Sequence, residues 1–444
     1  MRRTKLCKSA STQILLICVA AMVTPLIAIA DLVKLDTNVG FDSVYLLEAP
    51  DAPTVTVALT FLAGEVDVEG PEGLSHYLEH LMFWHADNVA DQQIHARGGN
   101  AWVNGLVTSY YNEGEKSDLD DMLEFARRLL GPPELDKDFM LRERSVVARE
   151  YDLRVSENPD WRIQTNIRRD LYDNLPVSRS VIGTPESIHS LTLAQAYKFR
   201  KQYYHPANAV LFISGNLDRE EAKVVVNSHF AGIKPGQRHA AQWRTARIKK
   251  TSDTAQKFAD SQVNYERLKY LTLSEWPDSE NATNNWYTLW FLHSVLDSAL
   301  EGGIARPLRM DNFVLRSFNI GLTTYLKDYF ELVLHAEPDK DVTLEQASKA
   351  ITETFAALAS SGIPDATFER VRSRILQTEY RKNKDNESHY SRMSRQLSSG
   401  LSPVTSSEHI EHMKKVSLSD VNDLLRALAN PKRRSIAFIT PTGE

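Results

Sequence analysis

Cysteine is nearly missing from this 444-residue chain: there are two, Cys7 and Cys18, and both fall within residues 1–30. From residue 31 onward the chain can form no disulfide and has no thiolate nucleophile and no thiolate metal ligand. An excess of positive charge is missing too. The formal net charge is −6, which argues against nucleic acid or an anionic membrane as the main partner. Long apolar runs are missing from the body of the chain. Nothing beyond residue 30 approaches the ~20 consecutive apolar residues of a membrane-spanning helix. A chain with no cross-links must rely on its core, and this length allows two domains of roughly 200 residues each.

The first 30 residues are of another kind. Arg2, Arg3, Lys5 and Lys8 are basic, Ile14 to Leu26 are mostly apolar, and Ala28-Ile29-Ala30 follows the small-x-small rule for cleavage before Asp31. The pattern predicts a signal peptide over 1–30 and a periplasmic address. The alternative is an uncleaved N-terminus that anchors the chain in the inner membrane. Cleavage removes four positive charges and leaves a net charge of −10.

The rest of the chain repeats itself. Phe139 to Tyr151 is echoed by Phe368 to Tyr380 at an offset of 229. Leu191-Thr192-Leu193 and Pro206 are echoed by Val416-Ser417-Leu418 and Pro431 at an offset of 225. Two separate segments with nearly one offset predict two domains of the same fold. We place them at 31–235 and 262–444, joined by a polar linker over 236–261. Strand patterns over 54–61 and 210–214 mix with helix patterns over 73–83, 119–130 and 137–155 without strict alternation. The expected class is therefore α+β: two layered domains, each an antiparallel-rich sheet with helices packed on it, together enclosing a clam-like chamber.

His76-Tyr77-Leu78-Glu79-His80 is the most informative stretch. On a helix, His76 and His80 stand one turn apart on one face, where two imidazoles can grip one zinc ion. Glu79 points to nearly the same side and can serve as the catalytic base. The competing reading is a surface helix with two histidines and a glutamate. A third protein ligand is needed, and the helix over 137–155 offers Glu143 and Glu150, which differ by two turns and share a face. Spacing alone does not choose between them. Zn2+ is the expected cofactor.

With those residues in view, the sequence resembles the pitrilysin/insulinase family of inverted zinc peptidases. Within it, the chain is similar to the short two-domain members related to the mitochondrial processing peptidases. Gly73 to Phe83 resembles the metal-binding helix of that family, and Glu143 to Glu150 its second metal helix. The resemblance implies His76, His80 and Glu150 as metal ligands, Glu79 as base, and Glu143 in support of catalysis. Asn100-Ala101, followed by Thr108 to Tyr111, resembles a substrate-binding edge strand; such an edge pairs with an extended peptide through backbone hydrogen bonds. Tyr203, Tyr204, Pro206 and Asn208 also match and are read as structural.

The chain departs from the family in two places. Trp84-His85 stand where the family continues with a glycine-containing turn, and His85 is read as a rim residue. In the second domain the family places an Arg and, seven residues later, a Tyr that together hold the substrate. Arg309 matches the Arg, but Arg316 stands in place of the Tyr. The second domain has His293 without a partner one turn away, so Glu379, the echo of Glu150, has no imidazole pair to join. These departures imply a metal-bearing subunit that works with a second two-domain chain, a heteromer in preference to a homodimer. The expected activity is zinc-dependent cleavage of unfolded or short peptides. The competing reading is a non-catalytic partner or scaffold subunit.

Overall fold

The structure, a computed structural model, describes residues 32–88, 98–133, 137–239, 247–248, 251–382 and 386–442. The leader expected over 1–30 lies outside them. No helix among the described residues is long and apolar enough to cross a membrane.

The first half runs β1 (Leu32–Lys34), β2 (Ser43–Glu48), β3 (Val55–Phe61), α1 (Leu74–Asn88), β4 (Asn100–Val103), β5 (Thr108–Gly114), α2 (Leu119–Leu130), α3 (Lys137–Tyr151), α4 (Pro159–Leu171), α5 (Pro185–Ser190), α6 (Leu193–Tyr203), β6 (Ala209–Gly215) and α7 (Arg219–His229). The second half runs β7 (Ser252–Asp260), β8 (Arg267–Glu275), α8 (Ala282–Leu296), β9 (Leu315–Thr323), β10 (Tyr329–Pro338), α9 (Leu344–Ser361), α10 (Asp365–Lys382), α11 (Asn386–Ser398), α12 (Ser406–Lys415), α13 (Leu418–Ala429) and β11 (Arg433–Pro441).

Each half builds one sheet. The orders are β1-β2-β6-β3-β5-β4 and β7-β11-β8-β10-β9. Apart from β1 they are the same path. β2 is parallel to β6 as β7 is to β11, and every later pairing is antiparallel. The α+β expectation holds, and the repeats in the sequence now have physical causes. Thr192 and Ser417 are the N-caps of α6 and α13, and each side chain accepts a backbone N–H at the third helical position. Phe139 to Tyr151 and Phe368 to Tyr380 lie within α3 and α10.

The expected linker over 236–261 needs correction. Ser252–Asp260 is β7, paired in parallel along its length with β11. Phe258 is its only large apolar residue, and its residues alternate between half-buried and exposed. A polar edge strand of this kind carries too weak a hydrophobic pattern to read as a strand.

β3 contributes to two apolar clusters, one on each face. Val55, Val57, Leu59 and Phe61 enter the core beneath α1 and α2, but Ala58, on the other face, belongs to a second cluster shared by both halves. That cluster arises by exchange. α4 of the first half packs on β8 and β11 of the second, with Ile163, Ile167 and Leu171 buried. α11, its counterpart after α10, packs on β6 of the first, with Met393 and Leu397 buried. Each such buried side chain contributes about 1.5–3 kcal/mol, so the halves form one stability unit.

Polar contacts reinforce the exchange. Tyr172, the C-cap of α4, donates to Glu331 at 2.5 Å, and Arg168 pairs with the same carboxylate at 3.2 Å. Asp160, near the start of α4, takes Arg267 at 2.7 Å and Lys269 at 3.1 Å. Lys269 Nζ donates to His335 Nδ1 at 2.7 Å. Burial, with the Lys269 charge beside it, holds the His335 pKa down at about 4, against 6.5 in an unfolded chain. The folded chain therefore binds fewer protons than the unfolded one between those values, so stability is lost as pH falls from 6.5 through 4. We expect His335→Gln to remove about 2–3 kcal/mol of that acid loss. Thermal unfolding of both chains across this range checks it, and parallel acid limbs would exclude His335 as the cause.

Candidate metal centre

α1 starts where it does because of a buried carboxyl group. The Glu65 carboxylate accepts from the Gly73 amide at 3.1 Å, the Ser75 amide at 3.4 Å and the Ser75 hydroxyl at 2.6 Å. Burial pushes the Glu65 pKa up to about 8, against the opposing pull of Arg179 and of these hydrogen bonds. Arg179 pairs with Glu65 at 3.3 Å and donates to Val68 O and Gly70 O, so the approach to the helix is pinned. Gly73 has φ +86, and a Cβ there would lie 2.9 Å from Ile182 O, which explains the glycine.

Leu74, Tyr77, Leu78, Leu81 and Met82 bury the core face of α1. The Tyr77 hydroxyl donates to Met140 O on α3 at 3.0 Å, which sets α3 beside α1. On α3, Met140, Glu143 and Val147 are buried. Glu150 continues that face at helical spacing. Val147 is the anchor, and the two carboxylates on either side of it are carried to the two histidines.

His76, His80 and Glu150 then come together. One donor atom from each lies within 4.8 Å of the others. Glu150 Oε2 is 3.4 Å from His76 Nε2 and 3.4 Å from His80 Nε2. Four ligands at about 2.0–2.1 Å around a tetrahedral zinc stand about 3.3–3.4 Å apart, so the donor types and the two spacings to Glu150 fit that ion. Glu79 Oε2 lies 3.9 Å from His76 Nε2, and Glu79 is buried. Glu143 stands behind the site, its Oε2 3.2 Å from His80 Nδ1. It meets the ring nitrogen that faces away from Glu150, and a carboxylate there fixes the tautomer and orientation of a ligating imidazole. His76 Nδ1 is buried with no hydrogen-bond partner among the described residues.

The charges are arranged for a cation. Burial, with His80 nearby, pushes the His76 pKa down to about 4, so its ring is neutral and free to ligate at ordinary pH. Burial also acts to lower His80, but the hydrogen bonds to Glu143 and Glu150 outweigh it and raise the pKa to about 9. Without a metal, a proton on His80 takes the cation's place. Burial opposes the charge on Glu150, yet the hydrogen bond with His80 and the Arg154 charge bring its pKa below the usual range. Burial lifts Glu79 to about 7, a value suited to giving and taking protons near neutrality.

The other expected site residues are placed as follows. Asn100 and Ala101 lie on β4, the last strand of the first sheet, and β4 packs beside α1. Asn100 is exposed, and its amide donates to the Tyr111 hydroxyl at 3.4 Å. Arg309 is exposed on the turn Arg306–Asp311 of the second half and makes no ion pair with the metal group among the described residues. Arg316 pairs with Glu337 at 2.8 Å and lies over the Tyr265 ring. His293 bonds Ile320 O at 3.0 Å. Glu379, which has no imidazole pair on α8, meets His409 Nε2 at 3.3 Å, and His409 Nδ1 meets the Tyr287 hydroxyl at 2.8 Å.

Two neighbours of the site escaped the sequence reading. Arg154 pairs with Glu150 at 2.7 Å; a Glu followed four residues later by Arg was the signal available for it. Tyr390 of α11 accepts from Trp102 Nε1 at 3.2 Å, beside the candidate edge strand. That contact spans both halves and has no local signature.

Comparison with known proteins covers both halves of the chain. The family described as insulinase, peptidase family M16, matches residues 43–185, and the one described as peptidase M16 inactive domain matches residues 190–375. An uncharacterized zinc protease of Mycobacterium leprae is 27% identical over 385 residues, 83% of this chain and 82% of that protein. An uncharacterized zinc protease of Bacillus subtilis is 27% identical over 186 residues, 41% of this chain and 42% of that protein, so the chain spans under half of that relative. The crystal structure of a protease from Helicobacter pylori matches with a TM-score of 0.75 at 18% identity, over 93% of this chain and 100% of that one. At such identity the likeness is one of fold.

Proposed function

We propose, for a chain that belongs to the insulinase (M16) peptidase family, zinc-dependent endopeptidase activity on unfolded or short peptides. The observation that carries this reading is the convergence of His76, His80 and Glu150, with buried Glu79 3.9 Å from His76. Zinc bound there would polarise a peptide carbonyl and acidify a water molecule. Glu79 takes the proton of the attacking water and returns it to the leaving amine. Glu143 keeps the His80 ring in one orientation. The outer edge of β4, at Asn100-Ala101, pairs with the substrate backbone in extended form, so little of the substrate sequence is read.

In this reading the chain is the metal-bearing subunit of a pair. Arg316, at the place of the expected Tyr, is already held by Glu337. The groups that steady the substrate carbonyl then come from a second two-domain subunit, in preference to another copy of this chain. The basic and apolar stretch at 1–30 supports a periplasmic site of action.

The alternative is a non-catalytic partner subunit, favoured only by the match of residues 190–375 to a domain described as inactive. One assay separates the two. The purified chain, alone and with a second family chain bearing the Arg and Tyr, is given an unstructured peptide, then a chelator, then zinc. We expect cleavage that the chelator abolishes and zinc restores. Stoichiometric zinc binding with no cleavage in either mixture would leave the partner reading in its place.

A further inference from the structure

We infer that Arg154 is a positioning residue that limits Glu150 to one ligating oxygen and thereby sets the site's preference among metal ions. The inference rests on the metal site proposed above. The two oxygens of Glu150 face different partners. Oε2 lies 3.4 Å from both imidazole nitrogens, and Oε1 lies 2.7 Å from Arg154 Nη2. Arg154 stands one turn beyond Glu150, in the widened turn Asp152–Ser156 that continues α3.

The pair does little for the fold. The Arg154 side chain is 70% exposed, whereas that of Glu150 is 18% exposed. An exposed pair at this spacing adds little to stability. Its effect is on orientation. His80 is fixed by Glu143. Arg154 gives the carboxylate the second contact that Glu143 gives the His80 ring. With Oε1 held by a guanidinium, a metal ion receives Oε2 alone. Single-oxygen ligation suits a four-coordinate ion such as zinc. Ions that take six or more oxygen-rich ligands accept carboxylates through both oxygens.

Electrostatics alone gives the opposite expectation. Removing a cation beside a dication would tighten binding of every divalent ion. The positioning role instead requires zinc to weaken while a larger ion does not. Zinc and manganese(II) binding are measured by chelator competition on the full chain, its Arg154→Ala variant and its Arg154→Lys variant. We expect Arg154→Ala to lose about 10–100-fold in zinc affinity, with manganese unchanged or tighter, and Arg154→Lys to recover part of the zinc loss. The metal-free melting temperature is expected to stay at the wild-type value. Zinc binding by Arg154→Ala as tight as wild type overturns the inference. So does an equal loss of both ions, which would mark Arg154 as merely structural. A wild-type chain that takes up no zinc overturns the metal site itself, a failure distinct from either.

Discussion

Glu79→Gln is expected to keep zinc at wild-type stoichiometry and to lose peptide cleavage by about 10²–10⁴-fold. The substitution changes almost nothing but the chemistry. Glutamine fills the same buried space beside His76, and Glu79 is not among the three converging donors. An amide, however, cannot take a proton from water. Burial raises Glu79 to about 7, so the native carboxyl can exist in both forms near neutrality. The variant removes that capacity and leaves the metal's contribution in place. Zinc content and turnover of an unstructured peptide are measured on the same sample. Wild-type turnover with zinc present would remove Glu79 from the mechanism.

What could be read from the sequence divides by range. His76, Glu79 and His80 share a helix face because of spacing within one turn, and such spacing is visible in a linear string. The repeat was visible for a related reason: helix caps at Thr192 and Ser417 and the face Phe139 to Tyr151 recur with their local patterns intact. Glu143 and Glu150 were legible as a pair on one face but not by role. Their roles depend on how α3 lies against α1, which the Tyr77–Met140 contact and buried Val147 decide.

The exchange of α4 and α11 between halves had no local sign. Ile163 and Ile167 look like any apolar stripe, whichever sheet they cover. β7 was hidden because its stability comes from pairing with β11, not from apolar alternation. In the second half, the place of a metal is taken by organic groups. Glu379, the echo of Glu150, is engaged by His409, which comes from α12 and not from α8. No histidine spacing within α8 could have announced that.

The second large effect follows from where Glu150 comes from. Both histidines lie on α1, whereas Glu150 is the only member of the converging group that α3 supplies. Glu150→Ala leaves two imidazoles and solvent where zinc needs a third protein ligand. A contact one step removed from the metal already costs about 10–100-fold in affinity, so loss of the ligand itself is expected to cost more than about 100-fold, with cleavage lost in proportion. The fold has little reason to suffer. Glu150 lies outside the apolar core clusters, and α3 is anchored by Met140 and Val147. Removing the carboxylate also takes one hydrogen-bond partner from His80, so the raised His80 pKa is expected to fall toward its ordinary value. Three measurements therefore move differently in one variant: zinc affinity drops sharply, the His80 titration shifts down, and the metal-free melting temperature holds within a few degrees. Glu143→Gln makes the contrast, since it keeps all three donors and loosens only His80, and its zinc loss is expected to stay within about 10–100-fold. If Glu150→Ala were to bind zinc as tightly as Glu143→Gln does, the third ligand would have to be sought elsewhere on the chain.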